Sequence, residues 1–304
     1  MNAVIEVERL RKRYGSTVAV EEISFSVAEG EIFGILGPNG AGKTTAVECI
    51  QGLRRPDGGR IRVLGLDPQS EAQTLRRRIG SQLQESALPD RIKVWEALDL
   101  FASFVPGGPD WRVHMDQWGL AEKRNATFSS LSGGQAQRLL VALALVNDPK
   151  VVFLDEMTTG LDPAARRVAW DLIRGIRDQG TTVVLVTHFM DEAEQLCDRL
   201  AIVNQGRVVA LDSPQALIGK HADGVRIRFS ADYSDLSWLE GVAHVTRVIQ
   251  HGGWVEVEGN GPVLVLVAAA LVEHRMIPAD LRVEQPTLED VFLALTGHRA
   301  EAEA

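Results

Sequence analysis

The decisive stretch reads Gly37-Pro38-Asn39-Gly40-Ala41-Gly42-Lys43-Thr44. It has the spacing GxxxxGKT, follows an apolar run at residues 32–36 and leads into a helical pattern over residues 44–53. Strand, glycine-rich loop and helix in that order build an anion cradle. The glycines let successive backbone N–H groups curl round a phosphate, and the helix start adds the positive end of its dipole. Lys43 is expected to reach the β and γ phosphates of a nucleotide, and the Thr44 hydroxyl to ligate Mg2+. Thr45, next in the helix start, is grouped with them as a nucleotide contact.

Such a site needs a second element that holds the metal and prepares water. Residues 151–154, Val-Val-Phe-Leu, read as a buried strand ending in Asp155 and Glu156. Two adjacent carboxylates at that point are costly unless they are used. Asp155 suits the Mg2+ shell, and Glu156 is then placed to orient or deprotonate an attacking water. A second glycine-rich helix start, Leu131-Ser132-Gly133-Gly134-Gln135 ahead of a helix over residues 136–146, marks a second anion site; standing alone it would be an ordinary helix cap. His188 follows a strand at residues 182–186, at the sheet edge where α/β folds bind ligands, and an imidazole there can donate to a phosphate.

In this order the motifs resemble the ABC ATPase cassette over roughly the first 218 residues. The resemblance implies ATP and Mg2+ as ligands and an α/β P-loop NTPase fold, a mixed sheet with an antiparallel N-terminal β subdomain and a helical subdomain near residues 85–148. It implies that Tyr14 stacks on adenine, that Gln84 senses Mg2+ and the membrane partner, and that residues 131–135 form the signature. Asp162, after Gly160 and Leu161, falls in the D-loop, and His188 matches the switch histidine that contacts the γ phosphate. Met157 departs from the pattern, because the family has proline after the catalytic glutamate; a small change in loop stiffness is expected, since Met lifts a φ constraint without adding charge.

Partners follow from the same resemblance. The signature of one subunit covers the nucleotide of another, and this chain carries one cassette, so a homodimer or a sister ATPase is implied. A transmembrane permease on another polypeptide is implied too, with the chain on the inner face of the cell membrane through that permease alone. Residues 286–293 resemble the ending of a subgroup that includes daunorubicin-resistance-type exporters, which tilts transport towards export. The competing classes are a soluble ABC ATPase in a non-transport process and a catalytically silent regulatory subunit. Against the first stand the single cassette and the lack of a basic surface; against the second stand Lys43, Asp155, Glu156 and His188.

Bulk properties agree. The 304 residues suffice for one large and one small domain. The net charge is -9, and residues 219–304 hold 7 Lys+Arg against 13 Asp+Glu, a poor match for nucleic acid or anionic lipid. The start has no apolar signal region, the longest apolar run (residues 263–272) is about half a membrane span, and Cys49 and Cys197 read as reduced core residues.

The chain opens with strands at residues 3–7 and 23–27, antiparallel in character, and then alternates apolar runs with helices at 163–176 and 190–197, as a parallel sheet with crossovers does. Asp162 is expected to cap the helix that begins with Pro163, and a hairpin at residues 201–210 to close the main domain. The aromatic-rich stretch 88–125 is read as mostly helical. The boundary is placed near residues 217–223, with a small α+β domain at 219–304. Strands are expected there at 225–229, 255–257, 263–267 and 281–283, before a helix capped by Thr287 with Asp290 three residues on.

Overall fold

The computed structural model describes residues 2–82, 88–105, 107–221, 224–231 and 236–297. Two long strands open the chain, β1 (Ala3–Tyr14) and β2 (Thr17–Ala28), paired antiparallel. Their inward positions alternate as in a sheet with one wet face: Ile5 and Val7 on β1, and Ile23, Phe25 and Val27 on β2, are buried. Leu10 is also buried, three residues from Val7. The ladder accommodates this odd spacing by shifting register between them, with Arg9 at φ 48°.

Next come β3 (Ile32–Leu36), α1 (Lys43–Ile50), β4 (Gly58–Val63), α2 (Ala72–Arg76) and β5 (Ile79–Gln82). The helical insert holds α3 (Val94–Ala102), α4 (Trp111–Gln117) and α5 (Gly133–Leu145). Its Trp111 and Trp118 are buried, whereas Phe104 is 60% exposed. The chain returns through β6 (Val151–Asp155), α6 (Pro163–Asp178), β7 (Thr182–Thr187), α7 (Met190–Leu196), β8 (Arg199–Asn204) and β9 (Arg207–Asp212). The nine strands form one sheet in the order β4-β1-β2-β9-β8-β3-β7-β6-β5.

Strands β3, β6 and β7 are buried at every position, the pattern of parallel strands covered on both faces. They run parallel in register, with Leu36 beside Thr187 and Asp155 beside Val186, so their C-terminal ends converge on one edge. Burial of each large aliphatic side chain here contributes about 1.5–3 kcal/mol. A stacked pair, Phe25 and Phe33 with centroids 5.1 Å apart, joins the antiparallel layer to this core. Helix α6 starts as its sequence dictates: Asp162 Oδ1 accepts from the N–H groups of Ala164 and Ala165 at 2.9 Å, and Pro163 occupies the first turn. Strands β4 and β5 have no counterpart in the sequence expectations.

The chain divides into two compact units, one reaching Pro214 and one spanning Gln215–Arg299, with α8 (Pro214–His221) at the division. The second unit contains β10 (Val225–Ser230), β11 (Val245–His251), β12 (Trp254–Gly259), α9 (Val263–Glu273), β13 (Arg282–Glu284) and α10 (Leu288–Thr296). Its antiparallel sheet runs β11-β12-β10-β13. The expected strand at residues 263–267 is instead the start of α9. Val263, Val267 and Leu271 recur every four residues and are the buried positions of that helix, so the helical period prevails over the β preference of valine. Strand β11, rich in polar residues, has no counterpart in the sequence expectations either. Helix α10 carries the expected capping box, with the Thr287 N–H donating to Asp290 Oδ2 at 2.8 Å. Cys49 and Cys197 are buried and free, and among the described residues no helix is long and apolar enough to cross a membrane.

Candidate functional site

The loop between β3 and α1 is shaped by what its glycines avoid. A Cβ on Gly37 would lie 2.2 Å from the carbonyl oxygen of Val203, and one on Gly42 would lie 2.2 Å from that of Ala19. Gly42 also sits at φ 98°, a left-handed conformation that side chains resist, and serves as N-cap of α1. Asn39 and Gly40 form the exposed crest, and Ala41 closes the loop by donating its N–H to Pro38 O at 3.2 Å. Lys43 is only 5% exposed and folds beneath the loop, its Nζ donating to Gly37 O at 2.8 Å and Pro38 O at 3.1 Å. Burial pushes the Lys43 ammonium below its ordinary range, against the pull of Glu156 and Asp155.

Asp155 ends β6 almost fully buried. Burial, then the neighbouring Glu156, push its carboxyl up to about 6, while Lys43 and a hydrogen bond with the Thr44 hydroxyl pull it back. Its Oδ1 is buried without a hydrogen-bond partner. A buried, unsatisfied carboxylate oxygen beside a threonine hydroxyl is an arrangement that a hard divalent cation would complete, so these donors fit Mg2+. Glu156 stands in the left-handed region at φ 48°, a local strain held by its N–H donating to Val186 O at 2.9 Å. From there its Oε1 lies 3.2 Å from His188 Nδ1. Met157, the departure from the family pattern, is buried and lines a mainly apolar cavity of about 320 Å³ with Val141, Leu161 and Ala169.

The strand ends thus bring the loop residues, Asp155, Glu156 and His188 together. Other sequence-expected residues lie on their own elements. Tyr14, at the end of β1, is 41% exposed, with Lys12 Nζ 5.4 Å and the Arg54 guanidinium 5.5 Å from its ring centre. Ser132 caps α5, exchanging hydrogen bonds with Gln135 (Ser132 N to Gln135 Oε1, 3.1 Å). A Cβ on Gly133 or Gly134 would meet nothing within 4 Å, so that helix start is open. Asp162 is engaged as the cap of α6. Gln84 lies outside the described residues.

A group that the sequence did not single out lies under the site. Glu192 of α7 is fully buried and accepts a hydrogen bond from Trp170 Nε1 at 3.2 Å. In the sequence it is one of three acids in Asp191-Glu192-Ala193-Glu194 and looks like part of a solvated face. The available signal was its spacing, one and four residues before the buried Ala193 and Leu196.

A buried parallel sheet, a glycine-rich phosphate loop after β3 and an acidic pair ending β6 define a nucleotide-binding α/β protein. The sequence matches the family model described as ABC transporter over residues 20–159. It is 38% identical to a Nod factor export ATP-binding protein I of Paraburkholderia xenovorans, over 98% of this chain and 99% of that protein. It is 35% identical to the daunorubicin resistance ATP-binding protein DrrA2 of Streptomyces coeruleorubidus, over 98% of this chain and 96% of that protein. A solved ATP binding subunit of an ABC transporter superposes with a TM-score of 0.65 at 26% identity, covering 71% of this chain and 92% of its own. The chain belongs to the ABC transporter family, as an ATP-binding subunit whose enzymatic activity is ATP hydrolysis coupled to transport.

Proposed function

We propose that residues 37–45, Asp155, Glu156 and His188 bind and hydrolyse MgATP, and that the chain drives an exporter permease carried on a separate polypeptide. The observation that carries this reading is the buried Oδ1 of Asp155, unpartnered, in a carboxyl that meets the Thr44 hydroxyl and the Lys43 ammonium of a phosphate loop. Mg2+ held by Thr44 and Asp155, with Gln84 assigned to the same shell by family resemblance, would supply positive charge against the phosphate oxygens. Lys43 supplies a second positive charge from beneath the loop. Glu156 accepts the proton of the attacking water, and His188, whose Nδ1 lies 3.2 Å from that carboxylate, is assigned to orient it and, by family resemblance, to contact the γ phosphate. Tyr14 is assigned to the adenine, flanked by two cations that keep the ring in place.

The open helix start at Ser132, Gly133, Gly134 and Gln135, with Asp162, is assigned to the nucleotide of a second ATPase subunit, which makes a homodimer with two shared sites the working assembly. Docking to the permease is assigned to a groove of about 430 Å³ in the first unit. Arg76, Arg77, Phe101 and Phe104 line it, and the exposure of Phe104 supports a protein partner there. We assign the chain to the cytoplasmic face of the membrane, held there through the permease. We assign residues 1–218 to the cassette and 219–304 to an accessory domain. The relatives' names, Nod factor export and daunorubicin resistance, favour export as the direction.

The test is magnesium-dependent ATP hydrolysis by the full chain. Wild-type turnover is expected to vanish on chelation and return with Mg2+, and Asp155→Asn to raise the Mg2+ concentration needed for half-maximal turnover by about tenfold or more. Turnover unaffected by chelation, or an Asp155→Asn variant with an unchanged Mg2+ requirement, would remove Asp155 from the metal site.

A further inference from the structure

Beneath the proposed site, three elements that carry its chemistry meet at one carboxyl group. Glu192 is 0% exposed. Its Oε1 accepts from Trp170 Nε1 on α6, and Thr187 and Thr158 lie beside the same carboxyl, whose Oε2, like the Thr158 hydroxyl, is buried without a hydrogen-bond partner. Thr187 ends β7 immediately before His188, and its Oγ1 accepts from the N–H of Phe189 at 3.0 Å, so it sets the bend from which His188 departs. Thr158 is fully buried two residues after Glu156, in the segment that leaves β6. Trp170 sits two turns into the helix that Asp162 caps.

A second contact joins the same two helices. Arg166 of α6 lies over the Phe189 ring at 4.5 Å and 3.7 Å from Asp191, and the rings of Phe189 and His188 are 4.1 Å apart. The turn that carries His188 is therefore held from α6 at two points, through Phe189 and through Glu192.

We propose that Glu192 is a positioning residue for ATP hydrolysis: it fixes Thr187, and so His188, against the segment that follows Glu156, and ties both to the helix that carries Asp162. This role rests on the ATPase reading above. The 3.2 Å distance between His188 and Glu156 is the quantity it guards. Burial raises the Glu192 carboxyl above its ordinary range against the opposing pull of Thr187, Thr158 and Trp170, so a neutral side chain of the same shape suits the pocket. Such a group can accept from the indole with one arm and donate to a threonine hydroxyl with the other, which an amide also does.

The experiment is steady-state hydrolysis of MgATP by the full chain, with the thermal midpoint of each variant. Glu192→Ala is expected to lower kcat about ten- to a hundredfold, the scale of a misplaced reacting group, while KM for MgATP stays within about twofold. Glu192→Gln is expected to restore kcat to near the wild-type value. Trp170→Phe, which keeps a ring and loses the indole N–H, is expected to lower kcat by a smaller factor with KM again unchanged. If Glu192→Ala fails to fold, the Gln and Phe variants decide. An unaltered kcat in Glu192→Ala, or a Gln variant no better than the Ala variant, overturns the role. A wild-type chain without any ATPase activity overturns the hydrolytic reading itself, an outcome distinct from both.

Discussion

Glu156→Gln is expected to bind MgATP with near wild-type affinity and to turn it over at least about a hundredfold more slowly, the scale of a lost general base. The substitution preserves shape. The amide oxygen can still face His188 Nδ1 across the 3.2 Å gap, and the left-handed backbone held by Val186 O is untouched. What disappears is the basic oxygen that takes the water's proton. Because the γ phosphates then persist, the equilibrium between separate and paired subunits shifts towards the pair, and the variant is expected to elute as a dimer with ATP and Mg2+. Single-turnover hydrolysis and light scattering read the two effects separately. Undiminished turnover would remove Glu156 from its assigned role, and a monomer that retains ATP would count against the shared-site dimer alone.

Lys43→Ala is expected to weaken nucleotide binding roughly ten- to a hundredfold, as loss of a charge-assisted hydrogen bond does. Two causes act together. The phosphates lose a buried cation, and the carbonyls of Gly37 and Pro38 lose the donor that braces the loop from beneath. Lys43→Arg is not expected to restore affinity, because a forked guanidinium does not fit where a compact ammonium meets two carbonyls in a nearly closed space. Titration with MgATP measures both variants, and unchanged affinity in Lys43→Ala would count against the phosphate site.

The cassette was legible in the sequence wherever local rules act alone. The loop motif needs glycine at positions 37 and 42 because neighbouring carbonyls leave no space for a side chain, and such constraints are written into composition. The largely apolar runs of β3, β6 and β7 announced parallel strands, and Asp162 with Pro163 announced a helix start. Legibility failed where tertiary context decides. The Val-Leu-Val-Leu-Val run of α9 satisfies both a strand and a helix locally, and which residues meet the small sheet settles it. Strands β5 and β11 contain too much glycine or polar character to stand out, and they exist because a neighbouring strand offers them an edge.

The site divides in the same way. Lys43, Thr44, Asp155, Glu156 and His188 were named from motif and strand position, and the convergence of strand ends explains why they are neighbours. Glu192 was hidden because the sequence does not distinguish a buried acid from two exposed or half-exposed ones beside it. Only the packing of α7 against α6 and β7 does so. The strained φ of Glu156 was equally invisible, since strain at one residue is held by partners distant in sequence.

The most direct measurement is a crystal structure of the full chain grown with a nonhydrolysable ATP analogue and Mg2+. The phosphates are expected within the curl of residues 37–45, with the metal bound between the Thr44 hydroxyl and Asp155 Oδ1 and with Glu156 facing the γ phosphate. Nucleotide bound elsewhere, or a metal that leaves Asp155 Oδ1 without a ligand, would contradict the account.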